Sequence, residues 1–186
     1  MSDQVLSVSG APVTQDQVDQ LVAQACPAKE HQAKRILLIV PDATRTAPID
    51  LFFKALHQQI GSAAQAFDVM VALGTHQPMS EQAICERLGI SLKERGERYR
   101  GVQLMNHEWD SPQALAFIGT IPSGEISELS GGLFAMDVEV RVNRRLFDYD
   151  QIIIVGPVFP HEVVGFSGGN KYLFPGVSGP EVLNFF

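Results

Sequence analysis

The stretch Lys34–Gly61, "KRILLIVPDATRTAPIDLFFKALHQQIG", decides the fold. It begins with a short apolar run that halts at Pro41, and after a polar loop it continues as an apolar-faced helix that we expect to end at Gly61. The same order recurs when "AFDVMVALG" is followed by "SEQAICERLG". Apolar strands separated by helices predict an α/β fold, with a Rossmann-like, mostly parallel sheet and helices on both faces.

The flanking segments extend this pattern. "TQDQVDQLVAQA" predicts an amphipathic helix, with Thr14 as the N-cap and Gln17 completing a capping box. "GVQLMNHEW" is a candidate third strand, and "DVEVRVNRRL" alternates as a half-exposed strand does. The apolar segment "QIIIVG" predicts another strand of the fully buried type.

Composition and charge exclude some classes of function. The chain has 186 residues, of which 45% are apolar and 19% charged, and its formal net charge is -7. This charge disfavours nucleic acid as a partner, because phosphate binding needs a basic face, and we interpret the basic cluster "LKERGERYR" as solvated surface. No apolar run approaches the roughly 20 residues of a membrane helix, and the first ten residues do not resemble a signal peptide. We therefore expect a cytoplasmic protein that does not bind membranes.

Three loops that follow predicted strands carry chemically useful side chains: "PDATRTAP", "GTHQPMS" and "HEVVGFSGGNKYLFPGVSG". Loops at the carboxyl ends of parallel strands meet at one edge of the sheet, which is where such folds bind ligands. We therefore expect the three loops to converge on one crevice. Its polar side chains would be those of Asp42, Thr44, Arg45, His76, His161 and Lys171.

Each of these residues also has a structural interpretation. Asp42 and Thr44 could cap the helix that begins near Pro48, and Arg45 could bind an anion or lie at the surface. A single histidine is more often structural than catalytic. Two imidazoles at the same end of a sheet, however, suit a reaction that transfers protons on two faces of a substrate.

The glycine-rich segment does not match a common nucleotide motif. The segment "GFSGGNKY", Gly165–Tyr172, differs from the P-loop motif G-x-x-x-x-G-K-[ST] in two ways. Its glycine stands one residue too early, and no serine or threonine follows the lysine to hold magnesium. There is also no G-x-G-x-x-G after a strand. Close approach of the backbone to a ligand phosphate explains the glycines better than turns alone. Lys171 could also form a Schiff base, as in pyridoxal enzymes.

The motifs "PDATRTAP", "ALGTHQPM" and "HEVVGFSGGNKYLFPGVSG", in this order, resemble the N-terminal domain of the nickel-dependent lactate racemase family, the LarA-type racemases and epimerases of 2-hydroxy acids. The resemblance implies a nickel pincer nucleotide, a pyridinium mononucleotide whose two thioacid arms and ring carbon hold the metal. It further implies that Lys171 is attached to one arm as a thioamide. By the same resemblance, the other cofactor contacts are Asp42, Ala43, Thr44, Arg45, Gly168 and Gly169.

The resemblance also implies a mechanism. His76 and His161 act as an acid/base pair: one removes the hydroxyl proton of a 2-hydroxy acid while the α-hydrogen leaves as hydride to the cofactor. The hydride returns to the opposite face, and Arg45 grips the substrate carboxylate. Asn170 stands where the family more often has arginine, which leaves the identity of the 2-hydroxy acid open.

On this resemblance, residues 1–186 form a truncated N-terminal cofactor-binding domain. The nickel-ligating histidine of the family and a C-terminal domain would lie beyond Phe186, so we expect no metal ligand within this chain and no racemase activity from it alone. Two alternatives remain at this point. One is a non-catalytic module that binds a nucleotide or phosphorylated metabolite, and the other is a pyridoxal-type enzyme that uses Lys171.

Overall fold

The computed structural model describes residues 11–162 and 165–185. The strands are β1 (Arg35–Pro41), β2 (Ala66–Ala72), β3 (Leu104–Asn106), β4 (Leu115–Ile121), β5 (Val138–Asn143), β6 (Gln151–Ile154), β7 (Phe159–His161) and β8 (Gly165–Ser167). The α-helices are α1 (Gln15–Ala25), α2 (Ile49–Ile60), α3 (Glu81–Arg87), α4 (Leu92–Gly96), α5 (Ser123–Leu129) and α6 (Pro180–Phe185). None of the helices described is long and apolar enough to cross a membrane.

The main sheet is four-stranded, in the order β3-β2-β1-β6, and every pair in it is parallel. This confirms the predicted α/β class. Strands β1 and β2 occupy the centre and are almost wholly buried, which explains their continuous apolar sequences. Strand β6 lies at the edge, where Ile152 is 36% exposed, so the interpretation of "QIIIVG" as a fully buried strand was wrong.

Alternate residues of β1 face two different layers. Ile36, Leu38 and Val40 point into the larger core, which α1, α2 and α3 cover. Leu37 and Ile39 point to the opposite face. There the cover comes from the 3-10 helices Arg144–Asp148 and Gly169–Tyr172 and from the chain that follows the second of them. The second face is therefore closed by irregular structure that also carries the glycine-rich segment.

Helix α1 begins as its sequence predicts. The Thr14 hydroxyl accepts the Gln17 N–H at 3.4 Å, and the Gln17 side chain accepts the Thr14 N–H at 3.0 Å. The interpretation of "LKERGERYR" as solvated surface is confirmed for most of the segment, which contains helix α4 and whose basic side chains are exposed apart from the half-buried Arg95. The exception is Tyr99, which is only 2% exposed and packs on Phe53 in the larger core.

A second, antiparallel sheet of β4 and β5 stands apart from the main one. Helix α5 connects its strands, and the register shifts between Phe117 and Gly119. The alternation of "DVEVRVNRRL" correctly predicted a half-exposed strand. Strand β4 and helix α5 were not predicted from the sequence.

His107 is buried at the junction of these units. Its Nε2–H donates to the carbonyl oxygen of Ser178 at 2.9 Å, and its Nδ1 accepts the Asn143 amide at 3.1 Å. Both ring nitrogens are thus satisfied in the neutral form, and burial lowers the pKa of His107 below its ordinary 6.5. Protonation would place a second N–H against the Asn143 amide, so folding favours the uncharged ring.

We predict that His107 makes stability depend on pH. Because its folded pKa is lowered, its contribution is present above about pH 6.5, the ordinary value, and is lost as pH falls. In His107→Gln the free energy of unfolding should be lower at pH 7.5 but should fall less steeply towards acid. The difference in slope can reach at most about 1.4 kcal/mol per pH unit, the value for one proton.

Denaturant unfolding of both proteins at a series of pH values measures this difference. Burial also lowers the pKa of His57, but that residue is present in both proteins and its effect cancels in the comparison. Identical pH slopes for the two proteins would contradict the assignment.

Candidate functional site

A cavity of about 280 Å³ opens at the carboxyl ends of β1 and β2. Pro41 pairs with Ala72 in the parallel register, so the loops that follow these two strands leave the sheet side by side. His161 and residues of the segment 166–176 line the other side. The polar lining consists of Asp42, Thr44, Arg45, Thr75, His76, His161, Ser167, Lys171 and Tyr172.

Asp42 is the centre of the polar network. Its Oδ1 accepts the Thr44 N–H at 3.1 Å and the Thr44 hydroxyl at 2.6 Å, while its Oδ2 accepts from Nδ1 of His76 at 2.6 Å. The residue is 7% exposed, so these bonds replace most of its hydration. Asp42 and Thr44 do not cap α2, whose N-cap is Pro48 without a side-chain bond. The capping alternative is therefore wrong.

This network determines both the charge of Asp42 and the tautomer of His76. Burial alone would raise the pKa of Asp42, but the hydrogen bonds from Thr44 and His76 outweigh it, and the net pKa lies below the ordinary value. An ionised carboxylate can only accept, so Nδ1 of His76 carries the proton. Whenever the ring is neutral, Nε2 is therefore its basic nitrogen, and the side chain is 53% exposed and lines the cavity.

Lys171 enters the cavity from a 3-10 helix, Gly169–Tyr172. Its Nζ lies 4.9 Å from the centroid of the Phe166 ring, which also lines the cavity. The preceding Gly168 has a φ of 85°, and a Cβ there would collide with the carbonyl oxygen of Pro157. Only glycine fits at position 168, because the backbone there packs directly against the Pro157 carbonyl. This contact explains one glycine of the motif.

The structure brings most of the sequence-derived candidates together. Asp42, Thr44, Arg45, His76, His161, Gly168 and Lys171 all line the cavity. Ala43 is exposed and Gly169 follows Gly168, and neither contributes to the lining. Residues 163–164 of the motif lie outside the described residues.

Sequence reasoning missed two aromatic residues in the lining, Phe166 and Tyr172. Tyr172 is 7% exposed, and its ring packs so closely on Gly156 that no Cβ would fit there. Burial raises the pKa of its hydroxyl, which Arg45 and Arg87 partly offset. The signal in the sequence was the aromatic that directly follows the lysine in "GGNKY".

Metal-binding side chains do not cluster in this region. Among the described residues, no group of three or more His, Cys, Asp or Glu side chains could hold a metal ion. Cys26 and Cys85 are free thiols, and burial raises the pKa of both.

We predict that Thr44 stabilises the ionised form of Asp42. Thr44→Val removes the hydroxyl donor, so the pKa of Asp42 should rise, and the free energy of unfolding at pH 7 should fall by about 1.5 to 3 kcal/mol, as for hydrogen bonds to charged groups. Carboxyl ¹³C titration by NMR measures the pKa. Thr46→Val, in the same loop but outside this network, is the matched control, and an equal response from both variants would contradict the assignment.

Comparison with known proteins places these features in a family. A family model described as the lactate racemase N-terminal domain matches residues 12–184. Two curated proteins named lactate racemase are similar: one from Thermoanaerobacterium thermosaccharolyticum is 25% identical over 152 residues, and one from Lactiplantibacillus plantarum is 23% identical over 150. These matches cover 81% and 80% of this chain but only 31% of each relative.

Two solved structures share the fold of this chain. A crystal structure of a Thermotoga maritima protein matches with a TM-score of 0.82 at 32% identity, covering 96% of this chain and 41% of that one. The lactate racemase apoprotein from T. thermosaccharolyticum matches with a TM-score of 0.66 at 23% identity, covering 91% of this chain and 38% of that one, and shows a shared fold. Since the family model spans nearly the whole chain, the resemblance seen in the three loop motifs is confirmed, and the chain belongs to the lactate racemase N-terminal domain family.

Proposed function

We propose that this chain is the part of a 2-hydroxy-acid racemase or epimerase that binds the cofactor and substrate, and that it works with a nickel pincer nucleotide. The observation that carries the proposal is the meeting of His76, His161 and Lys171 in one cavity, with His76 oriented by a buried carboxylate. The curated relatives are more than three times the length of the matched segment, as 31% coverage implies. We therefore propose that a second domain completes the site.

The cavity suits a nucleotide that is attached covalently. Lys171 would hold the group through its side-chain nitrogen, Asp42, Thr44 and Arg45 would contact it, and Gly168 lines the same cavity. Because the described residues contain no cluster of metal ligands, the metal would be held by the group itself and by a residue outside them. When bound, the group supplies an acceptor for the hydride of the substrate.

His76 has the features of a general base. The Asp42 carboxylate holds its Nδ1 proton, so Nε2 can take the hydroxyl proton of a 2-hydroxy acid in the cavity. The carboxylate then stabilises the imidazolium that forms, because a charge-assisted hydrogen bond is stronger than a neutral one. No rearrangement of the ring is needed between the two charge states.

His161 supplies a second imidazole from a separate element. It ends β7, in the hairpin that pairs Phe159–His161 with Gly165–Ser167, whereas His76 follows β2. Inversion at a carbinol carbon needs proton transfer for both enantiomers, and two bases on different loops provide this. Arg45 lines the same cavity and would bind the substrate carboxylate in a bidentate manner.

We predict that both histidines are required for racemisation. His76→Asn and His161→Asn, each made in the complete polypeptide with its second domain and cofactor, should lower kcat by roughly 10² to 10⁴, the usual contribution of a general acid or base. His57→Asn is the control, because His57 packs against Phe53 and Tyr99 in the core instead of lining the cavity. If both cavity variants kept the rate of the control, the two-base scheme would be wrong.

We also predict a covalent adduct on Lys171. Intact-mass spectrometry of the complete polypeptide, produced together with the enzymes that make the cofactor, should show added mass containing nickel and sulfur. Lys171→Ala should lack it, and the substitution Lys34→Ala at a distant lysine should retain it. A borohydride-reducible aldehyde adduct would instead favour a pyridoxal enzyme. The absence of any adduct would contradict covalent attachment and favour a non-catalytic binding module or a cofactor that is bound non-covalently.

A further inference from the structure

Arg87, in the last turn of α3, reaches back to the loop that follows β1. Its Nε donates to the carbonyl oxygen of Pro41 at 3.3 Å, and its Nη2 donates to the carbonyl oxygen of Arg45 at 2.7 Å. We propose that Arg87 is a positioning residue, which holds the Pro41–Arg45 loop in the conformation that brings Asp42 to His76. This inference rests on the proposed function, since it assigns a role within the same cavity.

The two carbonyl groups lie at opposite ends of the loop, with Asp42 between them. The planar guanidinium presents its donors in a fixed fork, so binding both carbonyls fixes their separation. Within the loop itself, the backbone bond from the Arg45 N–H to the Asp42 carbonyl is 3.5 Å long, beyond the usual range for a strong hydrogen bond. The 2.7 Å bond from Arg87 to the Arg45 carbonyl is shorter than this backbone bond, and it restrains the far end of the loop, which the bonds from Thr44 to Asp42 do not reach.

Helix α3 also belongs to the His76 side of the cavity. It begins at Glu81, shortly after the loop that carries His76, and Ser80 caps it by accepting the Ala83 N–H at 3.1 Å. The β1 loop is thus connected to the β2 loop twice. The Asp42–His76 hydrogen bond joins them at the cavity, and Arg87 joins them through α3.

A purely electrostatic role is the rival explanation. Burial lowers the pKa of Arg87, whereas its interactions with Asp42, Tyr172 and Asp50 raise it. The positive charge alone could therefore favour the ionised form of Asp42. A lysine would keep this charge but could not bridge both carbonyls with a planar fork, so the two explanations make different predictions for Arg87→Lys.

The test is the tautomer of His76 in the 186-residue chain without cofactor or substrate, read from long-range ¹H–¹⁵N NMR spectra at a pH where the ring is neutral. In the unsubstituted chain the proton should lie on Nδ1. In Arg87→Met and in Arg87→Lys the Nδ1–H form should be lost as the major species, and the Nε2–H form, preferred by histidine in water, should replace it. The control is Arg95→Met, because Arg95 also binds a main-chain carbonyl, that of Tyr99, at 2.8 Å.

Arg95→Met should lower the melting temperature and leave the His76 tautomer unchanged, which separates positioning from a general loss of stability. Retention of the Nδ1–H form in both Arg87 variants would overturn the proposal, as would full restoration by lysine alone. If Arg87→Met does not fold, Arg87→Lys decides the question against the same control. Because no cofactor or substrate is present, this result is independent of whether the complete protein racemises 2-hydroxy acids.

Discussion

The hydrogen bond between His76 and Asp42 is the constraint on which the site depends. It is short, at 2.6 Å, and one partner is a carboxylate that is only 7% exposed. Both side chains come from loops that leave neighbouring parallel strands, so the register of β1 on β2 is what brings them within reach. A shift in that register would separate the carboxylate from the imidazole and leave a buried charge without its partner.

The same cavity joins three parts of the chain with different structural roles. The two central strands provide rigid supports for Asp42 and His76, whereas His161 comes from a hairpin and Lys171 from a 3-10 helix that covers the second face of the sheet. In the reaction proposed above, two histidines on independent supports would suit a substrate that must be approached from opposite sides.

The sequence predicted the site best where a loop with polar side chains directly follows a central strand. The apolar run before Asp42 and the one before His76 predicted parallel strands, and parallel strands place their following loops at one edge. The hydrogen bond itself was not predictable, because "PDATR" equally allows Asp42 to cap the next helix. Tyr172 and the cover of the second face were missed for a related reason: they lie in irregular structure, whose packing is set by tertiary contacts instead of by periodicity.

The most direct test of this account is the ring state of His76 in the unsubstituted chain. Long-range ¹H–¹⁵N spectra should show the proton on Nδ1, hydrogen-bonded to Asp42, with Nε2 unprotonated while the ring is neutral. A ring that instead carries its proton on Nε2, or that titrates without any response from the Asp42 carboxyl, would contradict the central claim that a buried carboxylate prepares this imidazole as a base.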